Sequence, residues 1–171
     1  MLSSLVMWSL ALLGAIGILS QLLPVLYWTL FHRRETNLRL KYQADWAIVT
    51  GASSGLGRCW AIRLASQGLG IVGVALPGPE WEGLQAAVFE AQRKAGCPER
   101  FVKIECDLSQ VEAAVKMIEE ATAPLTNVRV LVSNAGCGYT VPLQSFAYKS
   151  INDYIALNVT SHAAVVKLVY T

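Results

Sequence analysis

One stretch, residues 46–58, constrains the fold of this 171-residue chain more than any other. An apolar run rich in β-branched residues at 47–50 is followed by the glycine-rich turn Gly-Ala-Ser-Ser-Gly-Leu-Gly at 51–57 and by a helical pattern at 59–65. Because the three glycines carry no side chain, the backbone can turn sharply and a pyrophosphate can approach the start of the helix, where free N–H groups favour anions. The sequence therefore predicts a strand, a phosphate-binding turn and a helix that hold a dinucleotide.

Short apolar runs continue to alternate with helical patterns after this stretch. A second, buried strand is predicted at residues 71–75, and further strands are predicted at 101–106 and 128–132. Strands that alternate with helices imply a parallel sheet with right-handed crossovers. The predicted fold class is α/β, with about four strands that form the first half of a doubly wound, or Rossmann, sheet.

Three more helices are predicted in this part of the chain. Residues 109–112, Ser-Gln-Val-Glu, have the pattern of a capping box at the start of one helix. Residues 150–153 are expected to cap a last long helix that runs towards Thr171. Residues 78–79, Gly-Pro, precede another helix, whose apolar side chains recur at helical spacing at Trp81, Leu84, Val88 and Ala91.

The N-terminal segment is apolar throughout. Residues 2–31 contain no Lys, Arg, Asp or Glu, and a membrane-spanning helix needs about 20 mostly apolar residues. No basic residue precedes the run, so an uncleaved anchor is favoured over a signal peptide, and so long a charge-free stretch also disfavours a buried helix of a soluble core. The basic residues at 32–34 place the rest of the chain on the cytosolic side. The predicted domains are an anchor at 1–31, a basic and polar linker at 32–45 and a dinucleotide-binding domain at 46–171.

Composition excludes several other classes of protein. The net charge is +2 and no basic cluster is interleaved with aromatic residues, so nucleic-acid binding is not expected. The four cysteines are far apart and form no Cys-x-x-Cys pair, which argues against a metal site and against a disulfide framework. His32 and His162 stand alone in the sequence, and neither is expected to be a ligand or a base.

The pattern Thr-Gly-x-x-x-Gly-x-Gly at 50–57 is neither Gly-x-Gly-x-x-Gly nor a P-loop, and Ser-Asn-Ala-Gly follows the fourth strand at 133–136. Together with Asn158, these motifs resemble the short-chain dehydrogenase/reductase family. The resemblance implies that Asn158 bends the last helix and holds a water in a proton relay, as a catalytic residue. It implies cofactor binding by Gly51, Ser53, Ser54, Gly55, Leu56, Gly57, Asp107, Asn134, Ala135 and Gly136.

Two of these positions have alternative interpretations. In the family, an Asp at the place of Asp107 bonds the adenine, but a capping role shared with Ser109 explains this residue equally well. Arg58 is either a phosphate contact or a solvated helix residue. The second strand is followed by Ala-Leu-Pro at 75–77, with neither the acid that reads NAD nor an Arg for the 2′-phosphate of NADP. The resemblance favours NADP, and NAD stays open.

The family's catalytic Ser and Tyr-x-x-x-Lys are absent from the 171 residues, and none of the six tyrosines has a Lys four positions later. The chain is therefore expected to be a truncated, catalytically incomplete product. An anchor ahead of such a domain resembles the branch with microsomal 17-beta-hydroxysteroid dehydrogenases and very-long-chain 3-oxoacyl-CoA reductases. That likeness implies a steroid or fatty-acyl ketone or alcohol as the hydrophobic substrate of a full-length form, at the endoplasmic reticulum membrane.

Two other functions stay open at this point. The chain could be a non-catalytic, membrane-tethered nucleotide-binding or interaction protein. It could also be a non-functional product, because a sheet that stops at its fourth strand leaves an unpaired edge and apolar faces uncovered. Cofactor binding without turnover is expected of the first and not of the second.

Overall fold

A computed structural model of the chain consists of two compact units, Met1–Thr36 and Asn37–Thr171. The predicted basic flank at 32–34 and the final Thr171 lie outside the residues that the structure describes. The described residues are 2–31, 36–138, 140, 142–145 and 147–170.

The first unit is a single long helix, α1 (Leu2–Phe31), with Pro24 inside it. Its 30 residues extend over about 45 Å at 1.5 Å per residue. The segment Val6–Leu30 is long and apolar enough to cross a membrane, and none of it is buried against other parts of the chain. The predicted apolar N-terminal helix is therefore present.

The second unit is built on a sheet of four strands, β1 (Trp46–Thr50), β2 (Gly70–Ala75), β3 (Phe101–Glu105) and β4 (Val128–Val132). Their order is β3-β2-β1-β4, and all three pairings are parallel, which confirms the predicted fold class. The chain moves outward from β1 to β2 and β3, and then returns to place β4 on the other side of β1. This reversal makes a crevice at the carboxyl ends of β1 and β4, the place where open α/β sheets bind ligands.

Helices cover both faces of this sheet and enclose two apolar cores. The helices of this unit are α2 (Leu38–Tyr42), α3 (Gly55–Ala65), α4 (Glu80–Lys94), α5 (Val111–Thr122), α6 (Tyr148–Ile155) and α7 (Ser161–Tyr170). One core lies between the sheet and the helices α3 and α4, and the other lies between the sheet and the helices α5 and α7. Because it is covered on both faces, β2 is buried at every residue, as is typical of a central parallel strand.

The spacing of apolar residues correctly predicts the buried face of α4. Trp81, Leu84, Val88 and Ala91 all lie in the core between α4 and the sheet. Between them on the helix, Gly83 is exposed, and a Cβ at that position would meet nothing within 4 Å. The period of 3.6 residues is therefore enough to identify this helix and its inner side.

The segment at 37–45, predicted as part of a linker, contains a helix that packs on the domain. Asn37 caps α2 by accepting the Leu40 N–H at 3.1 Å, and the Leu38 N–H donates to Gln67 Oε1 at 2.7 Å. The compact unit accordingly begins at Asn37 rather than at Trp46. A five-residue helix is too short to show helical periodicity in the sequence, which explains the difference.

Two predicted helix starts are wrong. The Asp107 carboxylate accepts the Ser109 N–H at 2.9 Å and closes a turn, so that α5 begins only at Val111, with Gln110 as its N-cap residue and no capping box from Ser109. The last helical segment begins at Tyr148, before Ser150. A π-helical turn, Ala156–Thr160, separates α6 from α7 within it.

Candidate functional site

The carboxyl ends of the strands and the loops that follow them surround a cleft of about 200 Å³. A cleft of this size is too small to enclose a dinucleotide, so a ligand of that length would lie along it and extend beyond it. Most of the predicted cofactor-binding residues lie here or directly beside it. The lining residues are Gly51, Ser53, Ser54, Ala75, Leu76, Cys106, Asp107, Leu108, Ala135, Gly136 and Leu157.

The glycine-rich turn has a backbone that other residues adopt at a cost. Gly51 and Gly55 have φ angles of +66° and +56°, in the left-handed region. At Gly57 the constraint is space, since an added Cβ would lie 2.1 Å from the Gly51 carbonyl oxygen and 2.7 Å from Asn134 Nδ2. The first turn of α3 therefore packs directly on the backbone of the turn and on the loop after β4.

The start of α3 lies beside this cleft, which Ser53 and Ser54 help to line. The helix begins at Gly55, and the described residues include no side-chain cap from Ser54. The first N–H groups of a helix have no partner within the helix, and the dipole makes this end positive. A phosphate group fits these donors, and the missing side chains of the glycines leave room for it. By contrast, the exposed side chain of Leu56 contributes to a shallow apolar surface with Cys59, Trp60 and Arg63.

The loop after β4 is anchored to β1 by Thr50. Thr50 is only 2 % exposed, and its hydroxyl accepts the N–H groups of Asn134 and Ala135 at 2.9 and 3.0 Å. The Asn134 side chain donates back to the Thr50 carbonyl at 3.0 Å. Thr50 is not among the predicted site residues, although it is the first residue of the Thr-Gly-x-x-x-Gly-x-Gly pattern at 50–57. It fixes Ala135 and Gly136 against the cleft.

Asn158 lies inside the π-helical turn and reaches the same loop. Its Oδ1 accepts the Cys137 N–H at 3.1 Å, while its Nδ2 donates to the Tyr154 carbonyl at 3.0 Å. A Cβ at Gly136 would lie 2.8 Å from this Oδ1, so the helix approaches the loop closely. π turns widen a helix locally and are frequent at functional sites. The predicted irregularity at Asn158 thus has a definite form, a turn with an extra residue.

A second helical side chain, which is not among the predicted site residues, also holds this loop. His162, in the first turn of α7, has its Nδ1 2.6 Å from the Ser133 hydroxyl and its Nε2 2.7 Å from the Ala135 carbonyl oxygen. Ser133 and His162 are 29 positions apart in the chain. Sequence spacing alone gave no signal that would have paired them.

Charged groups are sparse around the cleft. Asp107 is the one charged residue among its described lining, and its carboxylate also accepts the Ser109 N–H. Beside it, burial raises the pKa of the Cys106 thiol, and the negative charge of Asp107 raises it further. Arg58 projects from the first turn of α3 and donates to the Gly83 carbonyl at 3.3 Å. An exposed Leu76 marks the end of β2.

The cysteines and acidic residues form no metal site in the part of the chain that the structure describes. No three His, Cys, Asp or Glu side chains come together there in a geometry that could hold an ion. Cys59, Cys97, Cys106 and Cys137 are all free thiols.

Known proteins resemble this chain in sequence and in fold. The profile of the short chain dehydrogenases matches residues 45–171. The chain is 31 % identical over 119 residues to a 2-dehydro-3-deoxy-D-gluconate 5-dehydrogenase from Dickeya dadantii (strain 3937), a match that covers 70 % of this chain and 44 % of that protein. It is 35 % identical over 129 residues to a very-long-chain 3-oxoacyl-CoA reductase from Mycosarcoma maydis, covering 74 % of this chain and 36 % of the reductase.

A solved structure resembles the globular unit. The crystal structure of L-sorbose reductase from Gluconobacter frateurii, complexed with NADPH and L-sorbose, matches with a TM-score of 0.64 and 25 % identity. The match covers 74 % of this chain and 46 % of the reductase. The chain thus spans less than half the length of each of these three proteins.

Proposed function

The chain belongs to the short chain dehydrogenase family, and from this premise we propose that its globular unit binds a nicotinamide dinucleotide along the cleft at the carboxyl ends of the strands. The observation that carries the proposal is the contact of Gly57 with the Gly51 backbone, beside the uncapped start of α3. This arrangement leaves N–H donors and open space where a pyrophosphate needs them. The likeness to an NADPH-bound reductase supports the same cleft.

Each part of the cleft has a proposed role toward the coenzyme. The turn from Gly51 to Gly57 and the start of α3 hold the pyrophosphate. Asp107, at the end of β3, accepts a hydrogen bond from the adenine, while Asn134, Ala135 and Gly136 line the opposite end. When bound, the coenzyme supplies the hydride acceptor or donor of an alcohol–ketone interconversion.

We propose NADP as the preferred coenzyme. NAD is recognised by a carboxylate after the second strand, which accepts a hydrogen bond from the ribose 2′-OH. Here Ala75 and Leu76 occupy that end of β2. A carboxylate there would repel a 2′-phosphate, whereas Arg58, in the first turn of α3 directly after Gly57, supplies a positive charge.

The proposed parent reaction is oxidation or reduction of a steroid or fatty-acyl alcohol or ketone. The likeness to a very-long-chain 3-oxoacyl-CoA reductase supports a hydrophobic substrate. In such an enzyme Asn158 would hold a water of the proton relay. Because no Tyr-x-x-x-Lys occurs in the 171 residues, we propose that this chain binds coenzyme without turning over substrate.

We also propose that α1 anchors the protein in the endoplasmic reticulum membrane, with the globular unit on the cytosolic side. The apolar length of Val6–Leu30 supports the anchor. The basic residues at 32–34 support the orientation, since positive charges stay on the cytosolic side of a span.

Titration of the full chain with NADPH and NADH in detergent micelles tests the binding proposal. NADPH should bind more tightly than NADH and should raise the midpoint of thermal unfolding, because a ligand of the folded state stabilises it. Gly51→Val should abolish both effects. Equal, unsaturable signals from the wild type and Gly51→Val would refute coenzyme binding. Oxidation of NADPH that depends on a 3-oxoacyl-CoA or a ketosteroid would refute the claim that the chain alone is inactive.

A further inference from the structure

The Ser133 and His162 side chains form a hydrogen-bonded pair at the edge of the proposed coenzyme cleft. Both are partly buried, and the imidazole lies between the Ser133 hydroxyl at 2.6 Å and the Ala135 carbonyl oxygen at 2.7 Å. Neither side chain lines the cleft itself. Ser133 begins the loop whose residues Ala135 and Gly136 do line the cleft, and His162 contacts that loop at Ser133 and Ala135.

The chemistry of the partners fixes the protons on the neutral imidazole. A carbonyl oxygen can only accept, so His162 Nε2 carries the hydrogen that points at Ala135. Nδ1 is then an acceptor, and the Ser133 hydroxyl donates to it. With the neutral ring in this single tautomer, both of its nitrogen atoms are satisfied. The ring therefore ties together the first and third residues of the loop, Ser133 and Ala135.

The loop is held from two opposite sides. Thr50 of β1 accepts the Ala135 N–H, and His162 donates to the carbonyl of the same residue. One helical turn before His162, Asn158 accepts the N–H of Cys137. The i,i+4 spacing places Asn158 and His162 on one side of the helical segment, so both reach the loop. Thr50, Asn158 and His162 together hydrogen-bond the backbone of Asn134, Ala135 and Cys137.

We infer that Ser133 and His162 are a positioning pair for the coenzyme, which set the place of Ala135 and Gly136 without touching the ligand. This inference rests on the proposed binding of a nicotinamide dinucleotide. A site that is loose by about 1 Å loses affinity because the supporting residues no longer fix it. Removal of the pair should thus weaken coenzyme binding through the loop.

The test compares NADPH affinity with unfolding midpoint in the full chain, in detergent micelles. His162→Phe keeps a ring of similar size but loses both hydrogen bonds, and it should raise the dissociation constant of NADPH about tenfold, the effect expected of one or two lost bonds to a buried loop. Ser133→Ala should raise it less, about threefold, because one bond is lost. Ser133→Thr keeps the hydroxyl and should bind NADPH as the wild type does.

Ser161→Ala is the matched control. Ser161 precedes His162, is buried, and donates to the Leu157 carbonyl within the helical segment rather than to the loop. This variant should lower the unfolding midpoint but leave NADPH affinity unchanged. The double variant Ser133→Ala/His162→Phe should bind no more weakly than His162→Phe alone, because both changes remove the same pair.

The imidazole ¹⁵N spectrum of the ligand-free wild type reads the pair independently of binding. The neutral ring of His162 should carry its proton on Nε2, which donates to the Ala135 carbonyl. A proton on Nδ1, or His162→Phe and Ser133→Ala variants that bind NADPH like the wild type, would overturn the inference. If His162→Phe does not fold, the contrast between Ser133→Ala and Ser133→Thr decides. Failure of the wild type to bind NADPH would instead refute the proposed function, on which the inference rests.

Discussion

Two regions along the width of the sheet, the β1–β2 side and the β4 side, differ in how fully they are covered. On the β1–β2 side, all six residues of β2 and four of the five of β1 are buried beneath helices on both faces. On the β4 side, only Val130 of five residues is buried, and no strand pairs with the outer edge of β4 among the described residues. Nearby, Val159 and Val166 are 61 % and 49 % exposed.

This difference divides the proposed site into two parts. The glycine-rich turn belongs to the covered side, where close packing of backbone on backbone defines its shape. The loop at 133–137 belongs to the open side, where hydrogen bonds from Thr50, Asn158 and His162 hold it. Close packing leaves little freedom to adjust, whereas hydrogen bonds can be removed one at a time. Substitutions on the two sides should therefore differ in size and in kind.

The largest effect is expected at Gly57. In Gly57→Val, the new side chain meets the Gly51 carbonyl and Asn134, so the backbone must shift. Unfolding free energy, measured by denaturant titration in micelles, should fall by more than about 3 kcal/mol, beyond the usual cost of overpacking because main-chain atoms are in the way. Gly83→Ala is the control on the exposed side of α4 and should stabilise by about 0.5–1 kcal/mol. A Gly57→Val protein of wild-type stability would contradict the packing of the turn.

A smaller loss of stability is expected at Thr50, which joins β1 to the loop after β4. Thr50→Val is close in shape but leaves the Asn134 and Ala135 N–H groups without their acceptor. Unfolding free energy should fall by about 2 kcal/mol, the usual cost of unsatisfied buried donors. NADPH affinity should fall with it. Thr122→Val removes a hydroxyl bonded within α5 and should change stability by less than about 0.5 kcal/mol. Equal effects at Thr50 and Thr122 would show that the loop is not held by β1.

The sequence was sufficient for the parts of the fold that repeat a period. Strand and helix patterns predicted the four strands, the α/β class and the buried face of α4 without any long-range information. The glycine spacing also placed the turn, because a backbone constraint is visible in residue type alone. What the sequence did not reveal depends on contacts between distant residues. Thr50 with Asn134, and Ser133 with His162, are separated by 84 and 29 positions, and neither pair has a spacing signature.

Capping shows the same limit at shorter range. The Ser-x-x-Glu pattern at 109–112 predicted a helix start, but Asp107 binds the Ser109 N–H and delays the helix. Asp107 and Ser109 both have side chains that can bond nearby backbone N–H groups. The position of β3 before them decides which of the two bonds forms. The π turn that contains Asn158 also lies at a long-range contact, where the helical segment closely approaches Gly136 and Cys137.

A still smaller effect is expected for the open side, at Val166. Val166→Lys replaces an apolar side chain that is half exposed, so unfolding free energy should change by less than about 0.5 kcal/mol. Light scattering should show less self-association, because an exposed apolar face promotes aggregation. Val165→Lys, one position earlier and 1 % exposed, should instead prevent folding. If Val166→Lys unfolded the protein as well, the β4 side would be as closely packed as the β1–β2 side.

The smallest effect is expected at Cys106, which follows β3 and lines the cleft. Because burial and Asp107 raise the pKa of this thiol, its reaction with iodoacetamide should be slower than that of the exposed Cys59. As the pH rises past about 8.5, the ordinary thiol pKa, the unfolded chain loses this proton while the folded chain keeps it. The folded state then binds more protons, so unfolding free energy falls with rising pH, and Cys106→Ala should remove that part of the slope.

Bound NADPH should slow the labelling of Cys106 but not of Cys59, since Cys106 lines the cleft and Cys59 does not. Equal protection of both thiols would mean that NADPH acts by stabilising the whole fold and does not occupy the cleft.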